Sequence, residues 1–113
     1  MLQEWGPRGP FALRVHADSL RDPRYPSCVD PLGEASRRML RSALHERRWV
    51  IITIVPLPHP GRAHAIALIG ITEDDLLLVL DPATATESQP TALSEDELAR
   101  LWTGEIIVCA AFP

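Results

Sequence analysis

The sequence predicts an α+β fold, a central antiparallel β-sheet covered by helices, on three observations. A run of β-formers, Trp49–Val55, precedes two further apolar runs, His64–Ile71 and Leu76–Asp81, separated by Thr72-Glu73-Asp74-Asp75. So short an acidic break between two β-rich runs is a hairpin signal. Helical periodicity stands on either side of this block, giving the order helix, strand, hairpin, helix, strand.

The bulk numbers bound the answer. At 113 residues, 46% hydrophobic and 23% charged, the chain fits one domain with one core. A net charge of −4 offers no overall electrostatic drive toward nucleic acid. Two cysteines, Cys28 and Cys109, make no disulfide framework, and the plain expectation is a reducing, cytoplasmic location. Met1–Pro10 lacks the basic-then-apolar pattern of a signal peptide, and Val50–Val55 and Leu76–Leu80 are too short to span a bilayer. A soluble protein without a membrane span is expected; its oligomeric state is not legible.

Taken in order, residues 1–31 hold Pro7, Pro10, Pro23, Pro26 and Pro31 and read as a proline-rich arm with one short strand, Phe11–Ala17. The arm either wraps over the domain or is the remnant of something larger. Residues 32–113 read as the α+β domain. Leu32, Ala35, Met39, Leu40, Ala43 and Leu44 form an apolar stripe at helical spacing, with Asp30-Pro31 as N-cap and first-turn residue. Arg37, Arg38, Arg41, Arg47 and Arg48 line the other side or the last turn, as a solvated face or a site for acidic partners. Trp49–Val55 suggests a strand buried on both faces. Pro56–Arg62 reads as a stiff loop and residues 82–93 as a polar one. Ser94 and Glu97 form a capping box that opens a helix, Glu95–Trp102, which Gly104 ends before a last strand, Glu105–Ala111. The core expected beneath the first helix is Ile52, Ile54, Ile66, Leu68, Leu78, Leu80, Ile107 and Cys109.

The residues with chemistry are a thiol, an imidazole and a carboxylate. His64 begins the first hairpin strand and Asp81 ends the second. The start of one strand lies beside the end of the next, so the two side chains can meet, directly or diagonally. Asp81 would then accept from one ring nitrogen and turn the other toward a nucleophile. Taken separately, a histidine at a strand start and an aspartate before proline are ordinary structural residues. Cys109, within IIVCAA, reads as core. His16, His45, His59 and His64 show no i, i+4 pairing, neither cysteine has a CxxC partner, and no glycine-rich phosphate loop appears. No metal or cofactor is expected.

From Met39 to Ala111 the chain reads LRSALHERRWVIITIV, GRAHAIALIGI, DLLLVLDPA and ALSEDELARLWTGEIIVCAA, in that order. This succession resembles the second half of the bacteriocin-processing (double-glycine leader) peptidase family and its stand-alone bacterial-type relatives. The shared features are a leucine-rich helix end, a "PVIV"-like strand and a strand opening with histidine. A strand ending Asp-Pro, a Leu-Ser-x-x-Glu helix and a Trp-x-Gly turn follow. The resemblance implies a papain-like fold with its N-terminal helical half reduced, and a cysteine peptidase or related hydrolase. It also implies His64 as general base and Asp81 as orienting carboxylate. The family's nucleophile motif, Gln-x-x-x-x-Cys-Gly, has no counterpart: no glutamine precedes Cys28 at that spacing and no glycine follows it. Cys28 stays a candidate nucleophile because it lies just before the first helix, whose N-terminus favours a thiolate. The order Cys28, His64, Asp81 is similar to a transglutaminase-type arrangement.

Three readings follow. The chain is a cysteine hydrolase or acyl-transfer enzyme acting on peptide or amide bonds. Alternatively it is a pseudoenzyme that binds a peptide or protein, for which exporter-associated relatives lacking the cysteine give a precedent. The third is a half-domain completed by a partner chain.

Overall fold

The computed structural model describes residues 9–55, 63–81 and 91–110. The loop expected at 56–62 and residues 82–90 of the loop expected at 82–93 lie outside the described residues. Two helices, α1 (Gly9–Ser19) and α2 (Glu34–His45), lead into strand β1 (Val50–Ile54). The hairpin β2 (His64–Ile71) and β3 (Leu77–Leu80) follows, then β4 (Thr91–Leu93), α3 (Glu95–Leu101) and β5 (Trp102–Val108). The strands form one antiparallel sheet in the order β4-β3-β2-β1-β5.

Alternation along the strands divides the sheet into two faces. Val50, Ile52, Ile54, Ile66, Leu68, Leu77, Val79, Ile106 and Val108 pack with Leu40, Ala43 and Leu44 of α2 and Leu98 of α3. On the other face, Ile51, Ala65, Ala67, Ile107 and Cys109 pack against Leu13 and Ala17 of α1. Every residue of β1 is buried, the pattern expected of a strand covered on both sides.

Four expectations are corrected. The Phe11–Ala17 segment is helical: Pro10 in a first turn, an i, i+4 apolar pair (Leu13 and Ala17) and the helix formers within the segment are signals that the density of prolines in 1–31 obscures. Next, α2 starts at Glu34, with Gly33 rather than Asp30 at its N-cap. The Asp30 carboxylate accepts from the Leu32 amide and closes a turn before the helix, which leaves Leu32 exposed and outside the stripe. Third, Leu77 and Val79, not Leu78 and Leu80, are the fully buried residues of β3. A bulge between Leu68 and Gly70 shifts the register, and Leu80 is only partly buried, packing at the margin of the α1-face cluster. Fourth, Thr91–Leu93 extends the sheet as β4 rather than lying in a loop, and β5 begins at Trp102.

Residues 20–29 run antiparallel along the outer edge of β5. The Asp22 amide donates to the Val108 carbonyl at 2.8 Å, the Ile106 amide to the Ser27 carbonyl at 3.0 Å, and the Val29 amide to the Gly104 carbonyl at 2.9 Å. This covers an edge that would otherwise expose unpaired backbone groups. Gly104, at φ +102, lies so close to the Val29 carbonyl that a Cβ would come within 2.4 Å of its oxygen. Only glycine fits there.

Arg37, Arg41 and Arg48 are engaged within the chain. Arg41 grips both oxygens of Glu95 at 3.1 and 2.9 Å, and Arg37 reaches Asp96 at 3.0 Å, so two arginines dock the acidic first turn of α3. Arg48 turns inward, donating to Asp22 at 2.9 Å and to the Cys109 carbonyl at 3.3 Å, with Tyr25 beneath its guanidinium.

Candidate functional site

His64 and Asp81 meet at the end of the β2–β3 hairpin. Ala67 pairs with Leu80, so continuing the register one residue sets Asp81 across from Ile66, two positions along β2 from His64. The two are diagonal neighbours on the α2 face, within reach of long side chains. Nε2 of His64 lies 3.3 Å from Oδ2 of Asp81, with the side chains 20% and 24% exposed. A neutral imidazole in this contact carries its proton on Nε2, as a donor to the carboxylate, and presents Nδ1 as the basic nitrogen. Directly across β1, His64 faces Ile54, which in turn pairs with Trp102 of β5. His64 therefore stands beside the apolar Ile54 and Trp102 at one end of the sheet.

Cys28 is elsewhere. It bridges Glu105 on the outer edge of β5. Opposed residues of a bridge share a face, and the Glu105 carboxylate is 3.2 Å from Arg14 of α1, so the thiol belongs to the α1 face. His64 is on the α2 face. From Cys28 to His64 is also three strand steps, through β5 and β1, or about 14 Å at about 4.8 Å per step. The order Cys28, His64, Asp81 thus does not assemble into a triad: the histidine and the aspartate come together, and the thiol is across the sheet. Cys109 is buried, and burial pushes its thiol above the ordinary range. Among the described residues no cluster of three or more His, Cys, Asp or Glu could hold a metal ion, and no helix is long and apolar enough to cross a membrane.

Sequence reasoning missed a second constellation, a cleft between α1 and the β1–β5 edge lined by Arg14, Thr53 and Glu105 among others. The helix signals in 10–17, read as helix rather than strand, would have set Arg14 beside the sheet. Comparison of the chain with protein-family models, with characterised proteins and with solved structures returns no match.

Proposed function

We propose that the chain is a papain-like domain that binds peptide or amide ligands through the end of the sheet carrying His64 and Asp81, without a cysteine nucleophile of its own at that end. The observation that carries this reading is the pair itself. An imidazole held at 3.3 Å by a carboxylate, part-exposed at the end of a hairpin, is a fixed donor–acceptor unit suited to an amide. The separation of Cys28 from the pair favours binding over hydrolysis. A general base acts on a thiol only within hydrogen-bond reach, roughly 2.6–3.2 Å.

The test is selection of a random peptide display library against the immobilised chain, repeated with His64→Ala and Asp81→Asn. Enriched peptides should lose about tenfold or more in affinity, about 1.4 kcal/mol, in both variants. A fluorogenic peptide-amide panel should stay uncleaved by the chain. Failure to enrich any peptide, or turnover that Cys28→Ser abolishes, would refute the proposal.

A further inference from the structure

The α1 face, opposite the His64–Asp81 pair, holds a cleft of about 310 Å³ between α1 and the β1–β5 edge. That size is at the lower end of small-molecule sites, roughly 300–1,000 Å³. Its floor is apolar, made by Ile51 and Ile107, and one polar group rises from it. Thr53 is only 6% exposed as a whole residue, its backbone carbonyl accepts from Thr103, and it lines the cleft. A threonine on an otherwise apolar floor offers a ligand a hydroxyl that can both donate and accept.

The walls carry balanced charge. Arg14 and Glu105 meet at 3.2 Å with their side chains 43% and 47% exposed, and Arg21 and Asp18 meet at 3.4 Å. Arg14 uses one terminal nitrogen on Glu105, and a guanidinium has five N–H donors, so it keeps donors for a carboxylate. Glu105 and Asp18 are acceptors for an ammonium. A ligand of one charge would leave the opposite partner of each pair uncompensated, whereas a molecule with both charges side by side meets one of each.

We infer that this cleft binds a free α-amino acid with an apolar side chain. Its carboxylate takes Arg14 and the Thr53 hydroxyl, its ammonium takes Glu105 or Asp18, and its side chain lies on Ile51 and Ile107. The site lies on the face of the sheet away from the proposed peptide-binding end and does not depend on it.

Cys28 is exposed and lines the same cleft, so it reports occupancy without an added label. The experiment follows alkylation of Cys28 by iodoacetamide, by mass spectrometry, with rising L-leucine. Leucine should slow Cys28 about fivefold or more at saturation. Leucinamide, which lacks the carboxylate charge, and N-acetyl-leucine, which lacks the ammonium, should each leave the rate within about twofold. Thr53→Val and Arg14→Met should each remove the protection. Melting temperatures are measured alongside, and the inference is judged on whichever variant keeps its native melt. Heteronuclear NMR shifts of the Thr53 amide on leucine addition provide a second readout on the native chain. Absence of both protection and shifts, or equal protection by a singly charged analogue, overturns the inference.

Discussion

His64 and Cys28 face opposite sides of one sheet, so their chemistries separate in solution. His64→Ala is expected to change the alkylation rate of Cys28 by less than about twofold between pH 6 and 8. A fall of about tenfold, equivalent to about 1.4 kcal/mol, would place the imidazole beside the thiol and restore the triad. A second residue-scale prediction concerns Asp22, buried under Arg48. Its carboxyl is held well below the usual range by hydrogen bonds from the Arg24 side chain and amide, with the charges of Arg24 and Arg48 adding to the effect. A carboxylate depressed in the folded state stabilises the fold above its unfolded pKa, about 3.9, and loses that contribution as pH falls through the folded value. Thermal melts should therefore be flat in this respect above about pH 5 and decline below about pH 4. Asp22→Asn should lower the melting temperature at neutral pH, by leaving Arg48 without its buried partner, and shallow the acid decline. An unchanged acid limb in Asp22→Asn would show that other carboxylates govern it.

At the scale of elements, α2 closes in a way its sequence does not advertise. Arg47 adopts φ +63, while its amide donates to the Leu44 carbonyl and the Arg48 amide to the Ala43 carbonyl, a Schellman closure with an arginine where glycine is usual. The turn delivers the next residue, Arg48, into the core, where it donates to Asp22 and to the Cys109 carbonyl. Left-handed backbone costs a non-glycine residue about 1 kcal/mol or more. Arg47→Gly is thus expected to raise stability by about 0.5–1 kcal/mol, less than the full strain because glycine loses more entropy on folding. A denaturation midpoint that falls instead would mean that the exposed Arg47 side chain contributes more than its backbone costs. By contrast, the start of α3 is legible: Ser94 and Glu97 make the reciprocal capping bonds that their spacing announces, at 3.1 and 3.0 Å, although the helix gives way to β5 at Trp102 without waiting for Gly104. Hydrogen bonding in that box lowers the Glu97 pKa.

For the whole molecule, the two faces of the sheet are unequal. Leu68 is fully buried under α2, whereas Leu78 is half-buried on the α1 face. Leu68→Ala should cost about 2–5 kcal/mol, and Leu78→Ala less than about 2 kcal/mol. Urea unfolding of both variants measures the difference, with m-values unchanged if the denatured states match. Equal losses would mean that the α1 face is packed as tightly as the α2 face.

Local pattern determined the strands β1, β2 and β3, the hairpin between them, α3 and most of α2. Each rests on periodicity, β-branched runs or capping residues that act within a few positions of one another. Pairing His64 with Asp81 was also readable, because hairpin geometry ties the start of one strand to the end of the next. Tertiary structure decided the rest. The helical state of 9–19 depends on Leu13 and Ala17 finding the sheet. The identity of the buried residues in β3 follows from a bulge at Leu68–Gly70 that no composition signals. The side of the sheet on which Cys28 lies follows from how residues 20–29 pair along β5, a contact about eighty residues away in the chain. A sheet face is a two-valued choice, and one register step in a distant pairing moves a side chain to the other face. That is why the meeting of His64 and Asp81 could be read from the chain, while the separation of the thiol from them could not.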